Sequence, residues 1–191
     1  MTARRELILA GLAGLAGLSA WLPGAAMADA AVVDRLRRGG VVAAFRHANA
    51  PGTYDPPGFR LGECGTQRNL DDAGREQARR LGAWFREQRL TPAAVRSSPW
   101  CRCLDTARLA FGQAEAWAPL GSPRASADEA GQLAALRTAL ARVEAGRFEV
   151  WVSHQFTLSA LAGGSTSSGE GLVLGPRADG SVELLARLPP P

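Results

Sequence analysis

The sequence predicts an α/β layered domain in which a buried strand is covered on both faces. Three observations carry this. Val41-Val42-Ala43-Ala44-Phe45 is a short apolar run behind Gly39-Gly40, which reads as a central strand. Phe148 to Val152 is a second such run. Between and around them lie long stretches with helical apolar spacing, and strands alternating with helices form layers. The chain has two histidines, His47 and His154, and each directly follows one of these runs. Ligand crevices of open α/β sheets lie at the carboxyl ends of their strands.

Taken in order, the first 28 residues read as an address rather than as fold. Arg4-Arg5 precedes an apolar run from Leu7 to Leu22, and Pro23-Gly24 leads to Ala26-Met27-Ala28. Charged, apolar and small residues in that order make an export signal. The run is shorter than the ~20 residues needed to span hydrocarbon, so no stable membrane insertion is expected after cleavage. Paired arginines before so weak an apolar core resemble a twin-arginine signal; a general secretory signal is the alternative. The expected division is 1–28 export signal and 29–191 one domain, periplasmic or secreted.

Val32 to Arg38 reads as a short helix stopped by Gly39-Gly40. After the first strand, Asn49 to Arg68 is rich in Gly and Pro and is expected to be a long loop, of the kind that usually serves function. Asp72 to Gln88 is a helix with Ala78, Leu81, Trp84 and Phe85 on one face. Ala93 to Arg96 is a short strand, and Ser97-Ser98-Pro99 caps a helix from Trp100 to Phe111. Ala116 to Leu120 reads as a short strand, and Ala127 to Ala145 as a long helix along Leu133, Leu136, Leu140 and Val143. After the Phe148 strand come a short helix, Phe156 to Leu161, a Gly/Ser-rich loop, and a terminal hairpin of Leu172–Leu174 with Val182–Leu185.

Composition narrows the function. The chain is 46% hydrophobic and 21% charged, with a formal charge of +4. Its basic residues are all arginine and are dispersed, with no aromatic-lined basic face, which argues against nucleic acid as a partner. Three cysteines in an exported chain allow one disulfide and one spare thiol, with Cys64 pairing either Cys101 or Cys103. Cys101-Arg102-Cys103 is poor zinc spacing and lacks a second pair, so no metal and no cofactor are expected.

The chemistry rests on joint placement. Arg46 precedes His47, and Arg102 opens the helix behind Ser97-Ser98-Pro99. A helix amino terminus offers unpaired N–H groups and partial positive charge, and arginine adds a fork that fits two phosphate oxygens. Two strand-end histidines, two arginines and a helix amino terminus together suggest a phosphate pocket.

Four blocks, Phe45-Arg46-His47-Ala48, Leu70 to Ala78, Ser97 to Ala107 and Val152-Ser153-His154-Gln155, resemble the histidine phosphatase superfamily. This is the phosphoglycerate mutase-like family named for an Arg-His-Gly motif. Ala48 stands where that motif has glycine. The resemblance implies a three-layer α/β/α sandwich with a mostly parallel sheet. It also implies a phosphomonoesterase forming a phosphohistidine on His47, with Arg46, Arg102 and His154 stabilising the transferred phosphoryl group. A carboxylic acid usually protonates the leaving alcohol, and Glu129, then Asp128, are the candidates, although acidic residues in a first helical turn also suit the helix dipole. Asn49, Arg68 and Gln155 are candidate substrate contacts and Arg60 a further one; for Asn49, holding the nucleophile loop and serving as a plain turn residue are the alternatives. Ser98 is expected to cap its helix, and most tryptophans to pack in the core. The substrate is expected to be a phosphorylated small molecule or envelope glycan. Phosphoglycerate mutase-type transfer and a catalytically weak phospho-ligand binding module are the alternative functions.

Overall fold

A computed structural model describes residues 23–123 and 128–191. The apolar run of the expected export signal, up to Leu22, lies outside the described residues. Among them no helix is long and apolar enough to cross a membrane.

The elements in chain order are α1 (Pro23–Arg38), β1 (Val41–Arg46), α2 (Asp72–Glu87), β2 (Ala94–Ser97) and α3 (Cys101–Phe111). They are followed by β3 (Glu115–Ala116), α4 (Glu129–Ala141), β4 (Phe148–Ser153), α5 (Gln155–Ala162), β5 (Gly171–Pro176) and β6 (Val182–Leu188). One six-stranded sheet runs β3-β2-β4-β1-β5-β6. β1 is central as its composition predicts, and Val41 to Phe45 are all essentially inaccessible. Strand pairing is parallel from β3 through β1. It is antiparallel at β1–β5 and β5–β6, where the terminal hairpin closes the edge.

The layers follow from the period of two along β1. Val41, Ala43 and Phe45 pack with Leu36 of α1, Leu81 and Phe85 of α2, and Cys103, Ala107 and Ala110 of α3. Val42 and Ala44 face the other way, onto Leu136 and Leu140 of α4 and Leu158 and Leu161 of α5. Helices on both faces make the three-layer sandwich.

Several boundaries differ from expectation, each for a local reason. α1 begins at Pro23, not Val32, because the alanine-rich stretch before Val32 has high helix propensity but no apolar period to reveal it. α4 spans Glu129–Ala141 rather than 127–145. Asp128 accepts from the Gly131 N–H at 2.8 Å and caps its start, and Ala145 pairs with Gly39 across a β-bridge. Ala118–Leu120 is a 3₁₀ turn, leaving only Glu115–Ala116 as strand.

Candidate active site

The three parallel strands β2, β4 and β1 end side by side. Arg46 is in register with Ser153, and Ser97 with Val152. The His47 N–H donates to the Ser153 carbonyl at 2.9 Å and the Ser98 N–H to the Val152 carbonyl at 2.8 Å. Ladder geometry thus delivers Ser98, His154 and His47 to one sheet edge, with the two imidazoles edge to face, 5.6 Å between centroids.

His47 is 2% exposed, and its Nδ1 lies 2.8 Å from the Ala48 carbonyl. A carbonyl only accepts, so Nδ1 carries the proton and Nε2 is the ring's unprotonated nitrogen. The turn behind it is held by Thr106, whose Oγ1 accepts from the Ala48 N–H at 3.0 Å and donates to the Arg102 carbonyl at 2.7 Å. Ala48 replaces glycine without backbone strain. Among the described residues, Arg89 is the sole non-glycine with positive φ. Gly74, by contrast, admits no side chain, because a Cβ there would stand 2.0 Å from the Asn49 carbonyl oxygen.

Arg46, Arg68 and Arg102 line the same cavity of about 410 Å³ with both histidines, Asp55 and Gln155. Arg46 donates to Gln155 Oε1 at 3.0 Å and to the Thr166 carbonyl at 2.7 Å. Arg68 donates to the Ala50 carbonyl. The Nε atoms of all three arginines are buried without a protein partner. Burial, and then the Arg102 charge, lower the pKa values of Arg46 and Arg68, the electrostatic signature of a site suited to an anion.

Arg102 is the hub. It donates to Asp55 Oδ1 at 2.8 Å and, at 3.3 Å, to His154 Nδ1. That bond makes Nδ1 the acceptor, so the neutral His154 ring carries its proton on Nε2, 2.8 Å from Ser98 Oγ. Ser98 therefore engages His154 rather than acting as the expected helix cap; the N-cap is Trp100, without a side-chain cap bond.

Burial first, then the neighbouring arginines, depress both histidines: His47 is pushed down to about 3, partly offset by its Ala48 bond. His154 lies well below its ordinary value, through burial first and then the Arg102 charge. Below the ordinary value of 6.5 the unfolded chain takes up protons that the folded one refuses. Stability should then fall as pH drops below 6.5, for His47 down to about 3, by up to about 1.4 kcal/mol per pH unit for each histidine. Denaturant midpoints at pH 7, 5.5 and 4 measure this slope, and His47→Asn should remove one histidine's share.

Two features escaped the sequence. Asp55 is the one carboxylate lining this cavity among the described residues. Burial raises its pKa, but the Arg68 N–H, Arg102 and the Trp100 indole outweigh this and hold it ionised. Trp100 donates to Asp55 Oδ2 at 3.2 Å and packs against His154 at 5.1 Å, so it belongs to the site and not only to the core. The spacing of Asp55 behind His47 inside a Gly/Pro-rich loop was the available signal, and it has no periodicity to single it out.

Other candidates land elsewhere. Asn49 does not line the cavity: its Nδ2 donates to Asp71 at 2.9 Å and its N–H to Gln77 at 3.0 Å, pinning the loop after β1 onto α2. Arg60 is exposed and paired with Glu63. Glu129 is exposed in the first turn of α4, where the helix dipole favours a carboxylate. Neither it nor Asp128 lines the cavity.

Cys64 and Cys101 form the disulfide, and Cys103 is free and buried. Burial pushes its thiol up to about 12, so it stays protonated. The bridge ties the loop carrying Asp55 and Arg68 to the residue beside Arg102. By closing 37 residues it should contribute about 4 kcal/mol through the unfolded chain. Cys64→Ser should therefore lower the melting temperature by about 8–16 °C, read by calorimetry with and without reductant.

The description of the histidine phosphatase superfamily, branch 1, matches residues 45–121, a span holding His47, Asp55, Arg68 and Arg102. Over that span the chain is similar to this superfamily. No curated protein matches it by sequence. Among solved structures it is similar to the protein histidine phosphatase SixA complexed with tungstate, at 18% identity and TM-score 0.55, over 78% of this chain and 97% of that one. It is also similar to a mutant phosphoserine phosphatase from Entamoeba histolytica in complex with phosphoserine, at 15% identity and TM-score 0.56, over 77% and 95%. A third is the alpha-ribazole phosphatase from Shigella flexneri, at 15% identity and TM-score 0.55, over 76% and 95%. At these identities the likeness is one of fold. The expected α/β/α sandwich is borne out.

Proposed function

We propose that this domain is an exported phosphomonoesterase that works through a phosphohistidine on His47. The observation that carries the reading is the His47 Nδ1–H···O=C bond to Ala48, which leaves Nε2 as a neutral nucleophile inside a pocket of three arginines. Nε2 attacks phosphorus as the P–O bond to the alcohol breaks. Water then attacks the phosphohistidine, releasing inorganic phosphate and returning His47 to its neutral form. Arg46, Arg68 and Arg102 neutralise the equatorial oxygens.

Since Glu129 and Asp128 stand outside the cavity and Asp55 is held ionised, the reading favours esters whose alcohols leave as weak bases. A phosphorylated small molecule or an envelope glycan outside the cytoplasm fits the export signal read at residues 1–28. The test is hydrolysis of an aryl phosphate by the full chain with EDTA present, followed by base quenching to retain an acid-labile phosphoryl adduct. Turnover with an adduct is expected. Tight phosphate binding without turnover would instead identify a binding module, and loss of activity in EDTA would overturn the cofactor-free mechanism.

A further inference from the structure

Three large apolar side chains stand exposed among the described residues: Tyr54 at 68%, Leu61 at 49% and Phe156 at 44%. Isolated exposed apolar residues are ordinary, but a cluster marks a binding surface. Tyr54 and Phe156 line the His47 cavity. Leu61 lines a second cavity, of about 450 Å³, that shares Trp100 and Ser122 with the first. Two separate elements, the loop after β1 and the start of α5, thus bring apolar groups to the site.

Charge divides the cavity. Its floor carries three arginines against one ionised Asp55, with both histidines neutral, so the net charge is 3 − 1 = +2. A phosphate monoester near neutral pH carries about −1.5 to −2, and so matches the floor by itself. Among the described residues the remaining lining, including Tyr54, Phe59, Ser122 and Phe156, is uncharged. Within this cavity, whatever the phosphate is attached to meets aromatic faces and no further charge from those residues; beyond it, Asp128 places a carboxylate in the lining of the second cavity.

Building on the reading of this cavity as a phosphate site, we propose that the substrate is the monoester of a ring-bearing alcohol without further charge. The ring is an aryl group, or a sugar ring phosphorylated at its hemiacetal oxygen and presenting its C–H face, held between Tyr54 and Phe156; both leave as comparatively weak bases. Leu61 and the second cavity receive a substituent that extends beyond the ring.

Non-hydrolysable phosphonates separate this from turnover. Calorimetric titration of the full chain should give benzylphosphonate and cyclohexylmethylphosphonate an affinity at least about 10-fold above methylphosphonate, as two aromatic contacts predict. In Tyr54→Ala/Phe156→Ala that ratio should collapse several-fold, while any retained methylphosphonate binding reports an intact fold. Equal affinities in the parent chain, or a preference for 2-carboxyethylphosphonate or for a phosphopeptide, would overturn the proposal. If methylphosphonate binds but no ester is turned over, the hydrolytic reading fails while the affinity ratio still decides this one. Failure of every phosphonate and of inorganic phosphate to bind would sink both.

Discussion

His47→Ala should lower turnover of an aryl phosphate by at least about 10⁴-fold and abolish the phosphoryl adduct, since the loss of a covalent nucleophile removes the entire two-step path. Binding should respond differently. Arg46, Arg68 and Arg102 remain, so the variant is expected to keep affinity for inorganic phosphate. The two readouts together separate a nucleophile from a structural histidine: a packing residue would weaken both, whereas a nucleophile removes chemistry and spares the anion site. The substitution also leaves the Ala48 carbonyl without its imidazole donor, at a cost of about 1–3 kcal/mol if it stays buried. A thermal melt of the variant must therefore accompany the kinetics. An adduct persisting in His47→Ala would move the nucleophile to His154, the other imidazole in the pocket.

How much of this was legible in the sequence depends on whether a feature is carried by a period or by a loop. β1 and β4 announce themselves because they are buried on both faces, and their apolar runs end where the histidines begin. Parallel register then does the rest, with Arg46 opposite Ser153. Helices α2 and α3 follow from apolar spacing, and Arg102 from its place in the first turn of α3. The loop between Asn49 and Arg68 has no period, and its conformation comes from tertiary contacts: the Cys64–Cys101 bridge, Asp55 on Arg102 and Trp100, and Gln67 Oε1 accepting from the Cys101 N–H at 3.0 Å. That is why Arg68 could be named as a candidate while Asp55 could not. Asn49 shows the converse. A polar residue two positions from His47 suggests substrate contact, but its bonds to Asp71 and Gln77 make it a clamp that orients β1's exit.

Arg102→Ala should reduce kcat/KM by about 10²–10³-fold, the range for a lost charge-stabilising donor, with a further signature that a simple contact would lack. The Arg102 charge is among the causes depressing both His47 and His154, so its removal should move both imidazole titrations upward, measurable by NMR of labelled histidine. Folding should suffer as well. Arg102 and Asp55 are a nearly buried pair, with side chains only 5% and 12% exposed, and deleting one partner strands the other's charge at about 3–5 kcal/mol. Asp55→Asn in the same chain should recover much of that stability, because it removes the stranded charge. It should not recover activity, because under the proposed mechanism the missing guanidinium is the group that neutralises the phosphoryl oxygens. A double variant that regained both would reduce Arg102 to a scaffold for Asp55. One that regained stability alone would assign the arginine to the reaction and the carboxylate to its positioning.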